Sequence, residues 1–293
     1  MSATANGLLP LTGPPILITG SPKSGKSVLL KLFQQLEEFH VVDEPLSTWR
    51  IGSHTRDDDR RSASDATDEV KQSIRHEILR QCQAEGASRY VDNLNHHALQ
   101  IPFLREVFPD ARIVVVSRSP QDFLPEALFF WTRKPTLMKT VRNRRRDLKL
   151  STLASYGYRF FRNMVSNRVR GRLNTWGAIV PGQKEFASTH SAVELAAYHW
   201  AKLYEVALEH AQSDDGVYFV QFEGLLHRPR ETIDSVLRFC ETPVTPEIVD
   251  FAAGHFDPKF DFPKRIELTN AQWKTVWPIV RRAAEMLEYD VPD

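Results

Sequence analysis

The run Ile16-Leu17-Ile18-Thr19 leads straight into Gly20-Ser21-Pro22-Lys23-Ser24-Gly25-Lys26-Ser27, and no other stretch restricts the fold so tightly. A short apolar run closed by glycine is the pattern of a buried strand. The residues from Gly20 to Ser27 fit the spacing G-x-x-x-x-G-K-[ST] at every specified position. Gly20 and Gly25 permit backbone angles closed to other residues, so successive N–H groups can turn inward around an anion. A helix predicted over 24–38 brings its positive end to the same point. Lys23 and Lys26 add full charges. Strand, anion-binding turn and helix in that order open an α/β fold that holds a phosphorylated ligand.

The rest of the chain continues the alternation. The segments 40–44, 89–92, 112–117 and 218–222 read as strands, the third of them β-branched and buried on both faces (Ile113-Val114-Val115-Val116). Val70, Ile74, Ile78 and Cys82 recur every four residues, which predicts a helix over 68–85 capped by Thr67. Helices are also expected over 98–107, over 120–131 with a proline in its first turn, and over 191–212. The stretch 46–66 reads as a polar loop. Strands separated by such helices predict a parallel sheet with helices on both faces. Ligands on such sheets sit at the carboxyl ends of the strands, so the residues after Val42, Val91 and Val116 belong at the same edge as the loop.

With 293 residues, 42% hydrophobic and 26% charged, the chain has the composition of a globular domain with insertions. It has no run of 18 apolar residues and therefore no expected transmembrane helix. The first fifteen residues lack a basic region and an apolar core, so no signal peptide is expected; 1–12 is expected to be a disordered tail. Cys82 and Cys240 make neither a disulfide framework nor a metal-ligand spacing, and read as buried apolar positions in a reducing, cytoplasmic setting.

The net charge of +1 conceals an asymmetry. Between Trp131 and Trp176 there are thirteen Lys/Arg and one Asp, a local +12. Tyr158, Phe161, Val165 and Val169 approximate one helical face there, with Arg162, Arg168, Arg170 and Arg172 elsewhere. Three readings of this basic segment stand together: a lid or ligand contact, a peripheral contact with an anionic membrane surface through 131–176, or solvated helices. Nothing in it resembles a base-reading module, so no nucleic-acid partner is expected.

Several segments jointly resemble the sulfotransferases that use PAPS (3′-phosphoadenosine 5′-phosphosulfate), the bacterial branch above all. Ser21-Pro22-Lys23-Ser24-Gly25 resembles that family's phosphosulfate loop. The blocks Arg89–Asn93 and Ile101–Ile113 resemble its third-strand and following-helix region. Arg118-Ser119-Pro120-Gln121-Asp122 resembles its arginine motif, and Tyr218–Leu226 with Pro229–Thr232 its late strand–helix block. The resemblance runs in order from Pro15 to about Pro243. It implies a three-layer P-loop α/β fold: a central parallel sheet, helices on both faces and a basic helical insertion over 131–190, within a single domain spanning 13–293.

The resemblance also implies an activity: transfer of a sulfuryl group from PAPS to a hydroxyl or amine, leaving adenosine 3′,5′-bisphosphate, with no metal required. The acceptor class stays open among small molecules, lipids and glycans. Pro22, Lys23, Ser24, Gly25, Lys26 and Ser27 would hold the phosphosulfate, and Lys23 would neutralise charge on the leaving oxygen. Arg118 would take the 3′-phosphate, its alternative being an ion pair with Asp122 or another acid. Glu44, 21 residues after Lys23 and ahead of Pro45, is one candidate base; Pro45 is expected to hold it on extended backbone. His96 or His97 is the other candidate, against a reading as surface loop residues.

Four positions depart from the family pattern. Lys26 stands where the family has Thr or Ser, Asn93 where it has Lys, and Ser119 where it has an acid or amide. Glu126 stands where a serine usually helps bind the 3′-phosphate, and a carboxylate facing a phosphate is repulsive. Two other functions compete. One is a P-loop kinase using Mg-ATP, with Lys26 on the phosphates, Ser27 on the metal and Asp92 as a strand-end acid. The other is a catalytically impaired binding protein on the same scaffold. Asp57-Asp58-Asp59 reads as a solvated charge cluster between arginines.

Overall fold

The computed structural model of the chain describes residues 8–53, 56–131, 177–255 and 266–292. Five strands, β1 (Ile16–Gly20), β2 (Phe39–Asp43), β3 (Arg89–Asn93), β4 (Arg112–Ser117) and β5 (Val217–Gln221), form one sheet of order β2-β3-β1-β4-β5. All four pairings are parallel. Alternate residues of each strand face opposite sides, and both sides are apolar. Leu17, Ile113 and Val115 enter one core; Ile16, Ile18, Val114 and Val116 enter the other.

Helices cover each face. The first core is closed by α3 (Asp68–Ala84), α4 (Ile101–Val107), α5 (Pro120–Trp131), α7 (Ala192–Ala211) and α11 (Asn270–Met286). The second is closed by α1 (Lys26–Phe33), α8 (Phe222–His227), α9 (Pro229–Phe239) and α10 (Pro246–His255). Short helices α2 (Leu46–Trp49) and α6 (Gln183–Thr189) complete the described set. The three-layer parallel α/β architecture expected from the sequence is therefore the one observed. The strand order reverses at β1, between β3 and β4, and the loop after β1 opens at that crevice, where α/β sheets hold their ligands.

Several boundaries differ from expectation. The first helix ends at Phe33, because Gln35 and Leu36 donate to Leu32 and Phe33 in tighter turns that feed β2 at Phe39. The region 46–66 is not a plain loop: it contains α2 and a 3₁₀ turn at Ala63–Asp65. The terminal segment is pinned earlier than expected, since the Thr12 N–H donates to the Ser88 carbonyl at 2.8 Å and Leu11 packs on the core. Thr67 caps α3 as expected, and Ser191 with Glu194 forms a capping box at α7. Most of the predicted basic insertion, 132–176, lies outside the described residues, as does 1–7 of the expected tail. Cys82 and Cys240 are buried free thiols, both pushed up to about 12 by burial.

Candidate active site

The turn from Gly20 to Ser27 is built on positive backbone angles. Gly20 has φ 132 and Gly25 φ 88. A Cβ on Gly20 would lie 2.0 Å from the Val116 carbonyl, and one on Gly25 2.3 Å from the Phe222 ring. Both positions therefore exclude any side chain, and the concave turn stays bare backbone. α1 starts at Lys26 and brings its positive end to this turn, and its Val28 N–H donates back to the Gly25 carbonyl at 2.9 Å. A bare turn that runs into a helix N-terminus suits a phosphate, so the residues present fit the group that the motif implies.

The two lysines divide in role. Lys26 is 5% exposed, and its ammonium donates to the carbonyls of Gly20 (3.1 Å) and Ser21 (2.5 Å) and to Ser24 Oγ (3.4 Å). It braces the turn from inside. Burial lowers the Lys26 ammonium to about 7 against the pull of the Glu44 and Asp43 carboxylates, and the charge on Lys23 adds to the lowering. Lys23 is exposed, with φ 66. Ser24 is buried and Ser27 is exposed beside it; Pro22 packs near Gly177.

Glu44 differs from its sequence expectation. It does not continue β2 on extended backbone; it has φ 53 and is exposed. The Leu46 N–H donates to the Glu44 carbonyl at 2.7 Å around Pro45 (φ −75, ψ 54), an inverse γ-turn that β2 enters at Asp43. Among the described residues only Lys23, Glu44, Glu241 and Glu288 are non-glycines at positive φ, so two of these four are candidate catalytic residues. Such angles cost about 1–3 kcal/mol each and collect at functional sites.

The two histidines part company, and neither lies in a surface loop. His97 is fully buried, and its Nε2 donates to Asp92 at 2.8 Å. Asp92 also accepts from Trp49 Nε1 (2.5 Å) and Tyr90 OH (2.8 Å). His97 is thus held fully inside the core by Asp92, whose carboxylate serves three buried donors rather than standing as a metal-binding acid. His96 is 8% exposed and lines a cavity with Leu46, Arg50, Arg61, Leu94 and Gln100. Its Nε2 lies 3.4 Å from Asp59 Oδ2.

Asp59 corrects the reading of its cluster. Asp57 pairs with Lys184 and Asp58 with Arg60 at the surface, but Asp59 is tucked in. It accepts from the Ile179 N–H at 2.7 Å. Burial raises the Asp59 carboxyl, and the stronger opposing pull of His96, the Ile179 N–H and Arg50 brings it down to about 2. Among the described residues no cluster of His, Cys, Asp and Glu could hold a metal ion.

Arg118 closes the opposite wall. At the end of β4 it is 4% exposed and ion-paired with Glu126 of α5. Its Nη1 also donates to the Lys23 carbonyl at 3.2 Å, and its guanidinium lies 5.2 Å from the Phe222 ring centre. The sequence did not reveal what supports these groups. Trp200 Nε1 of α7 donates to the Arg118 carbonyl at 3.0 Å. One turn on, the Tyr204 hydroxyl lies 3.0 Å from Ser21 Oγ and 2.8 Å from the Val116 carbonyl, and accepts from the Ser21 N–H at 3.1 Å. The only sequence signal for this was an aromatic pair at i, i+4 on a long capped helix.

A parallel sheet whose switch-point strand ends in a glycine-built anion loop, flanked by a buried arginine, defines a P-loop α/β protein for a phosphorylated ligand. The chain belongs to the sulfotransferase family: the family model of that description matches residues 14–175. No curated protein matches the chain. Solved structures that it resembles include a sulfotransferase from Mycobacterium avium, 12% identical, with TM-score 0.54 over 96% of this chain and 78% of that one. The sulfotransferase domain of the curacin biosynthetic pathway is 14% identical, with TM-score 0.51 over 97% and 100%. The sulfotransferase domain of the Synechococcus PCC 7002 olefin synthase is 14% identical, with TM-score 0.51 over all of both chains. At such identities the solved structures speak for the fold, and the family match for the activity. The protein is an enzyme of sulfuryl transfer, its donor is PAPS, and the kinase alternative is not favoured. No helix among the described residues is long and apolar enough to cross a membrane.

Proposed function

We propose that the turn at 20–27 and Arg118 hold PAPS, and that Glu44 activates the acceptor. The backbone of Pro22–Ser27, with the hydroxyls of Ser24 and Ser27, takes the 5′-phosphosulfate. Lys26 holds the turn in shape. Arg118 takes the 3′-phosphate beside the Lys23 carbonyl. Glu44 removes the proton of an acceptor hydroxyl or amine as that atom bonds to sulfur. The sulfur–oxygen bond to the 5′-phosphate breaks in line, and Lys23 neutralises the charge that develops on the departing oxygen.

The single observation that carries the assignment is the shared strain of Lys23 and Glu44 at the loop edge, φ 66 and φ 53, with Glu44 as the leading carboxylate partner of the loop's Lys26. The test is turnover of labelled PAPS against a panel of phenol, sugar and lipid hydroxyls in the presence of a chelator. Glu44→Gln is expected to lose turnover by about 10²–10⁴-fold while still binding adenosine 3′,5′-bisphosphate. Full turnover in Glu44→Gln would remove it from the mechanism.

One observation favours a second base. His96 lines a cavity, holds Asp59 through one nitrogen, and its Nδ1 is buried with no hydrogen-bond partner among the described residues. In that reading Asp59 orients the ring and His96 takes the proton, so His96→Ala rather than Glu44→Gln would abolish turnover. The acceptor is a hydroxyl or amine of a small molecule, lipid or glycan. Peripheral contact with an anionic membrane through 131–176 is part of the same proposal.

A further inference from the structure

The Arg118–Glu126 contact joins two side chains almost removed from water, 5% and 11% exposed. Arg118 does not depend on Glu126 for its position. Its carbonyl is held by Trp200, its Nη1 by the Lys23 carbonyl, and its face lies against Phe222, which itself fills the space under Gly25. Glu126 therefore contributes charge more than placement. It neutralises the buried guanidinium that stands next to the anion turn.

This inference rests on the proposed reading that a donor phosphate meets Arg118. We infer that Glu126 is a built-in competitor for the Arg118 anion site, and that donor binding has to displace it. The guanidinium edge that meets Glu126 cannot also serve a phosphate without bringing two anions together. The helix is weakened at this point. Pro125, inside α5, has no N–H to give to the Gln121 carbonyl, so the ladder is broken one residue before Glu126. The consequence is a donor site whose affinity is set below that of the bare arginine. The cost falls only on nucleotides with a 3′-phosphate.

The test is calorimetric titration of the wild-type chain, Glu126→Gln and Glu126→Ser, each with adenosine 3′,5′-bisphosphate and with AMP. Both variants are expected to bind the bisphosphate about tenfold or more tighter than wild type, with AMP affinity unchanged. The serine variant guards against a glutamine that retains the contact, and a melting curve on each variant confirms folding. Equal bisphosphate affinity in all three proteins overturns the inference and leaves the proposed donor site standing. Weaker binding in both variants overturns it too, and makes Glu126 a supporting group. Absence of bisphosphate binding in all three overturns the inference together with the reading of Arg118 on which it rests.

Discussion

Two buried polar clusters flank β1, one on each neighbouring strand, and they have opposite fates. On β3, Asp92 gathers Trp49, Tyr90 and His97 inside the core. At the end of β4, Arg118 gathers Glu126 and the Lys23 carbonyl against the anion turn. Both sit near the carboxyl edge and both carry charge-bearing residues that read as functional in the sequence. The difference is what surrounds them. Asp92 and His97 are fully buried among aromatic rings, with Trp49 and His97 in edge contact at 4.8 Å. Arg118 is part of the wall of the turn itself. A buried charge with several fixed donors and no outlet braces a fold; one that shares an atom with a ligand loop serves the ligand.

That contrast breaks first, if it breaks, at Asp92. Asp92→Ala leaves three buried donors without an acceptor and is expected to cost about 3–5 kcal/mol in urea unfolding, with bisphosphate affinity of the folded fraction unchanged. A loss of affinity without a loss of stability would make Asp92 a site residue after all. Lys23→Ala should show the reverse: turnover down about 10²–10³-fold and stability within about 0.5 kcal/mol of wild type.

A pH titration sharpens the structural side. His199, fully buried one residue before Trp200, donates from Nε2 to the Ala178 carbonyl. Burial lowers the His199 imidazole to about 4, with the Ala178 carbonyl opposing and His96 assisting. The unfolded chain therefore binds a proton that the native one refuses. The stability this neutral ring supports is intact above about 6.5 and drains away as pH falls toward 4, by about 2–4 kcal/mol. His199→Phe should flatten that stretch of the stability curve, measured by denaturant melts from pH 7 to 4. The smallest effect belongs to the turn. Gly25→Ala would drive a Cβ into Phe222 from a φ of 88, costing about 1–3 kcal/mol and weakening bisphosphate binding together.

The sheet was legible in the chain because period and punctuation are local. The run Ile113–Val116 and the glycine after Thr19 specify strands without reference to anything distant. The turn was legible for the same reason, since the angles of Gly20 and Gly25 are written in residue type. Glu44 was placed at the right edge but on the wrong backbone: Pro45 suggested extension, whereas the γ-turn into α2 decides φ. His96 and His97, adjacent in sequence, could not be told apart, because Trp49 and Asp92 reach one of them and Asp59 the other. The supports from Trp200 and Tyr204 cross 82 and 183 residues of chain to Arg118 and Ser21, and no local pattern encodes such contacts. The same limit hid Glu126. Its departure from the family pattern was visible, but its partner was not.

The most direct measurement is a calorimetric comparison of adenosine 3′,5′-bisphosphate, with chelator present, against Mg-ATP on the wild-type chain. The assignment of the turn and Arg118 to PAPS predicts metal-independent binding of the bisphosphate that weakens at least about tenfold in Arg118→Ala, and weaker binding of Mg-ATP. Preference for Mg-ATP, or bisphosphate binding indifferent to Arg118, would contradict it.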